Sequence, residues 1–372
     1  MSIRKRKWTN ARGEEKTAWQ VDYRDNAGIR RAKQFEKKKQ AEAWVTNAAW
    51  QVSQGIHTAD RQSITVSDAA KYWLERPDHE NLEPTTIAPY EQHIRLHINP
   101  VCGSVKLSQL TPPMIESFRD KFCHNLSYQM AKRVLRSFKA IISEAHRRGL
   151  IGHNPAISVK MPRRPREKSK VAIPSKQEIK AYLEAAEKDA NQAAYPLACL
   201  LIFSGMRASE IRGLSWSKID FSNRSVMVST RADAKNLLGA PKTYTSHRII
   251  PLPQVAISSL RAWKLACPPS DHDLVFPSIR GKVMSNDYLT RKLLAPPQAK
   301  AGITDGSCHK YGLKTLRHVA ASLWIEQSAT PKRVQNLMGH SSIQVTYDVY
   351  GHLFEQAQQD QKIADAISKA LL

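Results

Sequence analysis

The sequence predicts a mainly helical protein with small β elements, divided into more than one domain. Three observations predict it. Apolar residues recur at helical spacing, most plainly Val134, Leu135, Phe138, Ile141, Ile142 and Ala145. Strict alternation is confined to short runs such as Trp19-Gln-Val21-Asp-Tyr23. The length, 372 residues, exceeds what one ordinary core encloses, so two or three domains are expected.

Residues 1–60 form a small α+β unit. Trp19 to Tyr23 alternates as a half-buried strand, Asn26-Ala-Gly28 supplies a turn, and Arg30 to Phe35 is the candidate paired strand. Lys37 to Gln54 has helical composition, with Ala41, Trp44, Val45, Ala48 and Val52 near helical spacing. The unit is basic, with 13 cationic residues against 7 acidic.

Residues 64–160 are expected to be helical throughout. Ser67-Asp68 caps a helix from Ala69 to Leu74, and Thr85-Thr86 caps another towards Arg95 and Ile98. Asn99-Pro100-x-x-Gly103 reads as a break, and Leu107-x-x-Leu110-Thr111-Pro112 opens a helix from Met114 to Phe122. Tyr128 to Arg148 carries the apolar stripe named above. Lys132, Arg133, Arg136 and Lys139 lie between its apolar positions, where they face water or a phosphate backbone. Asn154-Pro155 closes the unit. Residues 161–174 then read as an extended linker. Pro162 and Pro165 discourage helix, and residues 161–170 hold five cations, Arg163, Arg164 and Arg166 among them, against Glu167 alone.

Residues 175–372 form the largest unit, mixed but mostly helical. Ser175-x-x-Glu178 is a capping box for a helix to Ala190, and Tyr195 to Phe203 is a buried helix. Arg224–Arg231 and Ser246–Leu252 read as strands, with Pro241-Lys242-Thr243 near the bend between them. Helices follow at Val255–Ala266, about Tyr288–Leu294, Leu316–Glu326, Pro331–Met338 and in the tail beyond Ala357.

Composition narrows the function. The chain has 57 Lys+Arg against 33 Asp+Glu, a formal charge of +24, which suits a polyanionic partner. The five cysteines are scattered and none forms a Cys-x-x-Cys pair, which argues against a disulfide framework or a zinc site and for a reducing compartment. The basic N-terminus is followed by no apolar stretch, so no signal peptide is expected. The most apolar segment, Tyr195–Phe203, is too short to span a bilayer. The expected setting is the cytoplasm.

Chemistry concentrates late in the chain. Gly-Met-Arg207-Ala-Ser-Glu210 is followed by Lys242-Thr-x-x-Ser-x-Arg-x-Ile-Pro-Leu, Lys314-Thr-Leu-Arg317-His318, Gly-His340 and Asp-Val-Tyr350-Gly-His. Guanidinium groups grip phosphate oxygens bidentately, and a tyrosine hydroxyl is a nucleophile able to hold a covalent DNA intermediate. This series resembles the catalytic domain of the tyrosine site-specific recombinases, phage-type integrases in particular. The boxes span about residues 200 to 354 in the family's order.

The resemblance implies that residues 1–60 are an arm-type DNA-binding module, 64–160 a helical core-binding domain and 175–372 a tyrosine-recombinase catalytic domain. It implies that Arg207 and Arg317 neutralise the scissile phosphate, that His340 adds a hydrogen bond and that Lys242 protonates the leaving 5′-oxygen. Tyr350 attacks to leave a 3′-phosphotyrosyl link. Glu210 is expected to orient Arg317 or a histidine, and His318 to pack or support. Tyr347 competes for the nucleophile but stands outside the Asp-Val-Tyr-Gly-His context. No metal or nucleotide cofactor is implied. The implied partners are double-stranded attachment-site DNA, four protomers on two sites, a host bending protein and a directionality factor, with integration and excision of a mobile element as the outcome.

One departure stands out. The family usually carries histidine three residues before the second arginine, and this chain has Lys314 there. A lysine can donate to a phosphate oxygen but keeps its proton near neutrality. Lys314 favours one rival reading, a catalytically weak or silent DNA-binding protein of the same fold; a second, independent of it, is a type IB-like topoisomerase using the same chemistry without a partner site.

Overall fold

A computed structural model describes residues 1–9, 13–24, 28–53, 63–79, 83–163, 173–241, 244–354 and 368–369. The described residues are mainly helical with small antiparallel sheets, and the chain divides into two compact units, Met1–Arg166 and Glu167–Leu372.

The first unit begins with a three-stranded sheet, β1 (Ser2–Thr9), β2 (Glu15–Arg24) and β3 (Arg30–Phe35), in that order. Helix α1 (Lys38–Ser53) follows, and its Trp44 meets Tyr23 edge-on at 5.0 Å and Phe35 at 5.7 Å. Strand β1 lay outside the sequence expectation. Its Ile-Arg-Lys-Arg-Lys-Trp run is dominated by cations, and pairing with β2, Lys5 opposite Trp19, makes it a strand. Asn26 and Ala27 of the expected turn lie outside the described residues.

After α1 come α2 (Val66–His79), α3 (Pro84–His93), α4 (Asn99–Cys102), α5 (Pro112–Asn125) and α6 (Tyr128–Arg147). Three expectations are corrected. Helix α2 starts earlier, because Thr65 and Asp68 bond reciprocally: the Thr65 hydroxyl donates to Asp68 Oδ2 at 2.7 Å and accepts from the Asp68 N–H. Helix α3 opens on Pro84, whose missing N–H suits the first turn, rather than on a Thr85 cap. Asn99-Pro100 does not break the chain. Residues Ile94–Ile98 form a π turn in which the Asn99 N–H donates to Ile94 O, and this wider turn admits the Pro100 ring. The same device recurs in the second unit at Thr290–Leu294, ahead of Pro296-Pro297. The apolar stripe of α6 is buried as expected and centres the unit's core.

The second unit contains α7 (Lys176–Glu187), α8 (Ala194–Ser204), α9 (Ala208–Arg212), β4 (Ile219–Asp220), β5 (Ser225–Val228), β6 (Arg231–Ala232), β7 (Leu238–Gly239) and β8 (Arg248–Pro251). After these come α10 (Gln254–Ala266), α11 (Asn286–Leu289), α12 (Ala295–Lys300), β9 (Thr304–Asp305), β10 (Cys308–His309), α13 (Leu313–Glu326), α14 (Pro331–Met338) and α15 (Ile343–Phe354). Strands β4, β5 and β8 form an antiparallel sheet, with Val226 opposite Ile250. Helix α7 opens on the Ser175/Glu178 capping box.

Helix α8 is apolar around its whole circumference because it is central: Leu197, Leu200 and Leu201 are fully buried, each contributing about 1.5–3 kcal/mol. It ends at Gly205 in the left-handed region, φ 58°, where a Cβ would stand 3.1 Å from Ala320 and Trp324. The residue after this tight cap is Met206, and then Arg207.

Helix α15, which carries Tyr350, was not legible in the sequence. Val345, Thr346, Val349 and Gly351 are weak helix formers, and packing on α13 and α14 overrides them. The expected tail helix beyond Ala357 lies outside the described residues, apart from 368–369.

Candidate active site

Seven side chains converge from five stretches of the second unit. Arg207 occupies the N-cap of α9, so Glu210, three residues on, reaches back to it. The Arg207 N–H donates to Glu210 Oε2 at 2.8 Å and its Nη1 to Oε1 at 2.7 Å. From β8, Arg248 donates to the same two oxygens, Nη2 to Oε2 at 2.8 Å and Nη1 to Oε1 at 3.2 Å. Arg317 on α13 approaches only to 4.0 Å. Glu210 therefore bonds Arg207 and Arg248 directly, with Arg317, its expected partner, at the outer edge of ion-pair range. Burial alone would raise the Glu210 pKa, but the hydrogen bonds and charge of Arg248, with Arg207, outweigh it and leave the carboxyl below its usual range.

The three arginines share a second anchor. Arg248 Nε donates to Leu337 O at 2.7 Å, Arg317 Nη2 to Met338 O at 2.5 Å and Arg207 Nη2 to Gly339 O at 2.8 Å. Three consecutive carbonyls at the C-terminal end of α14 thus each hold a different guanidinium, at the end where the helix dipole favours cations. Gly339 caps that helix at φ 62°, and a Cβ there would stand 2.9 Å from Arg248 Nη1. Arg317 also donates to Gly205 O at 2.5 Å, so the carbonyls of left-handed Gly205 and Gly339 both serve the site. Burial, then the charges of Arg207 and Arg248, push the Arg317 pKa down to about 9, and it stays cationic at neutral pH.

On α13, Lys314, Arg317 and His318 share one face at i, i+3 and i+4. His318 Nδ1 lies 2.6 Å from Tyr350 Oη, and both residues are buried. His340, which follows the α14 cap, stacks on the Tyr350 ring with an interplanar angle of 11°. Its Nδ1 is 3.0 Å from the Thr346 hydroxyl. Burial is the largest cause that lowers the pKa of both histidines to about 4. Lys314 and Arg317 add to it at His318, and Arg317, Arg207 and Arg248 at His340, so both rings are neutral. Burial pushes the Tyr350 phenol above its ordinary range, against a smaller opposing pull from Arg317.

The other expected residues fall as follows. Lys314 is exposed rather than buried beside Arg317. Tyr347 is 48% exposed, its ring against Phe354, whereas Tyr350 is 1% exposed and beside the histidines. Lys242, Arg164 and Arg166 lie outside the described residues. Lys132, Arg133, Arg136 and Arg163 are exposed. Lys139 is committed internally, its ammonium donating to Ile157 O and Val159 O at 3.1 and 2.9 Å. Among the described residues no group of three His, Cys, Asp or Glu could hold a metal, and no helix is long and apolar enough to cross a membrane.

Sequence reasoning gave Arg248 no role. The signal was present: Arg248 shares a strand face with buried Ile250, and a cation at an inward strand position calls for a buried acid. Thr346, fully buried, had no such mark.

Residues 175–357 match the phage integrase family, and residues 65–123 match the phage integrase N-terminal SAM-like domain. A tyrosine recombinase XerC-like protein of Caldanaerobacter subterraneus subsp. tengcongensis is 27% identical over 364 residues, covering 89% of this chain and 90% of its own. A tyrosine recombinase XerC of Chlamydia trachomatis is 30% identical over 237 residues, 61% of this chain and 68% of its own. In fold, the chain is similar to the Tn1549 transposon integrase solved with a circular intermediate DNA, with a TM-score of 0.66 at 20% identity, covering 82% of this chain and 99% of that one.

Proposed function

The chain belongs to the phage integrase family of tyrosine recombinases, enzymes that break and rejoin DNA strands, and from that premise we propose a catalytic cycle centred on Tyr350. The observation that carries the proposal is the charge balance beside the phenol. Arg207, Arg248 and Arg317 surround one carboxylate, Glu210, so positive charge is left over in a largely desolvated place next to Tyr350. An anion completes it, and a scissile phosphate is the anion the fold serves.

A guanidinium has five N–H donors, and the contacts above use two each on Arg207 and Arg317. Their remaining donors bind the non-bridging oxygens and hold phosphorus in line with Tyr350. Glu210 and the end of α14 keep the guanidiniums fixed before DNA arrives, so little reorganisation accompanies the reaction. His340 donates to the phosphate as charge builds, and Lys242 protonates the leaving 5′-oxygen. Tyr350 is left joined to a 3′-phosphate. Lys314, at the rim, donates to the phosphate backbone.

Around this centre, residues 1–60 act as an arm-type module, 64–160 as a core-binding domain, 161–174 as a basic linker and 175–372 as the catalytic domain. The face of β1 and β2 opposite α1 supports the first assignment. Arg6 Nη1 donates to Gln20 at 3.2 Å, Gln20 to Asp22 at 2.9 Å, and Arg4 pairs with Asp22 at 3.0 Å, which pre-orders polar side chains on a sheet surface. Lys132, Arg133 and Arg136 on α6, with Arg163, Arg164 and Arg166, contact phosphates. Four protomers act on two attachment sites of a mobile element, with a bending protein and a directionality factor as accessories.

The test is a suicide substrate, nicked DNA from the element's own ends, with wild-type protein, Tyr350→Phe and Tyr347→Phe. The expected result is a denaturation-resistant protein–DNA adduct lost only in Tyr350→Phe. Loss only in Tyr347→Phe moves the nucleophile by three residues. Binding without any adduct leaves a silent DNA-binding protein, and relaxation of plasmid lacking an attachment site indicates topoisomerase chemistry.

A further inference from the structure

Tyr350 must lose its proton as Oη bonds to phosphorus, and the group that takes it must lie within hydrogen-bond reach of Oη. His318 Nδ1 is 2.6 Å away, with its ring edge-on to the phenol. The position three residues before Arg317, where related enzymes usually carry histidine, is Lys314, exposed and unable to accept a proton while charged. His318 stands one helical turn further along the same face of α13.

We propose that His318 is the general base for Tyr350, taking over proton transfer that Lys314 does not perform; this rests on the recombinase reading above. With the ring hydrogen on Nε2, Nδ1 receives the phenolic proton as the Oη–P bond forms. The P–O5′ bond breaks and the 5′-oxygen leaves with its electron pair, to be protonated by Lys242. On rejoining, the 5′-hydroxyl gives up its proton to that lysine and attacks phosphorus. The Oη–P bond then breaks and the His318 imidazolium returns the proton to the phenolate.

The surroundings suit this role. His318 is faced by Lys314 and Arg317 on its own helix, by Tyr350 on α15 and by His340 after α14. Burial and the two cations lower its pKa to about 4, so the ring is uncharged and ready to accept throughout the neutral range. The phosphate's negative charge, arriving between the arginines, raises the basicity of the imidazole when it is needed.

The experiment uses the full chain and two suicide substrates. One is an ordinary phosphodiester, and the other carries sulfur in place of the bridging 5′-oxygen, so that its thiolate leaves without a proton. His318→Gln keeps a hydrogen-bonding partner for Tyr350 but cannot take its proton. It is expected to slow adduct formation by about 10²–10⁴-fold on both substrates, with DNA binding in a gel shift unchanged. Lys314→Gln is expected to move the acid limb of the rate–pH profile upward, because a cation beside His318 is gone.

A His318→Gln rate within about threefold of wild type overturns the proposal. So does recovery on the sulfur substrate, which would make His318 the acid for the leaving group. A Lys314→Gln profile with an unmoved acid limb also counts against it. Absence of an adduct from wild-type protein overturns the recombinase reading itself, and this proposal with it.

Discussion

Two glutamates in this molecule are each ringed by three arginines, and they serve different ends. In the first unit Glu144, itself only 7% exposed, meets Arg147, Arg148 at 2.8 Å and Arg76 at 3.9 Å, arginines whose side chains are between 37% and 53% exposed. In the second unit Glu210 meets Arg207, Arg248 and Arg317, of which the last two are only 6% and 9% exposed. The ratio of charges is the same, but the solvent is not. Water and counterions neutralise the surplus around Glu144, so the cluster ties α6 to the end of α2 and asks for nothing more. Around Glu210 water is largely excluded, and the end of α14 supplies only part of the missing negative charge. A surplus of buried cations is an anion site when its own scaffold cannot neutralise it.

Removing each carboxylate's charge separates the two clusters most clearly. Glu210→Gln leaves desolvated guanidiniums facing an amide that offers donors of its own. We expect it to destabilise the second unit by about 3–5 kcal/mol and to abolish the covalent adduct. Glu144→Gln, among arginines that water can reach, is expected to cost about 1 kcal/mol or less and to leave adduct formation intact. Denaturant unfolding with the suicide-substrate assay measures both. Equal losses in the two variants would mean that burial does not distinguish the clusters.

A smaller effect sharpens the role of the α14 end. Gly339→Ala places a side chain in the left-handed region and a Cβ 2.9 Å from Arg248 Nη1, while its carbonyl holds Arg207. The expected destabilisation is about 2 kcal/mol, with a fall in adduct rate larger than the stability loss explains at temperatures where the variant is folded. An unchanged rate in the folded variant would show that the three carbonyls hold the arginines less tightly than their geometry indicates. In the first unit Arg147 and Arg148 also stand at a helix end closed by a left-handed glycine, Gly149, but a Cβ there would meet nothing within 4 Å.

The two regions also differ in what their sequences disclosed. Helix α6 was legible from periodicity, because its core is apolar and its charges lie outside; Arg30–Phe35 and Pro331–Met338 were read with the bounds that β3 and α14 have. The candidate site residues were legible through their boxes, since Arg207, Arg317 and His340 stand in a recognisable order and the structure gathers them around Tyr350. What stayed hidden depends on three-dimensional neighbours. Helix α15 has poor helical propensity and forms because α13 and α14 pack on it. Arg248 acquired its meaning only when β8 was set beside α9. His318 passed for a supporting residue because nothing in a linear sequence says that Tyr350, 32 residues later, comes within 2.6 Å of it.

Acidification separates the clusters by a third and gentler route. His318 and His340 titrate near pH 4 in the folded protein against about 6.5 when unfolded, chiefly through burial. Between those values the unfolded chain binds more protons than the native one, so native stability is full above pH 6.5 and declines as pH falls towards 4. Glu210, whose pKa is depressed by its arginines, adds a loss of the same sign below its usual carboxylate range. The Glu144 cluster contains no histidine. Amide exchange, corrected for its intrinsic pH dependence, should therefore show protection across α13–α15 weakening from pH 6.5 to 4 while α6 changes less. His340→Asn should flatten that slope without removing it, because His318 still titrates. A parallel decline in both regions, or a slope untouched by His340→Asn, would place the acid sensitivity outside the Glu210 site.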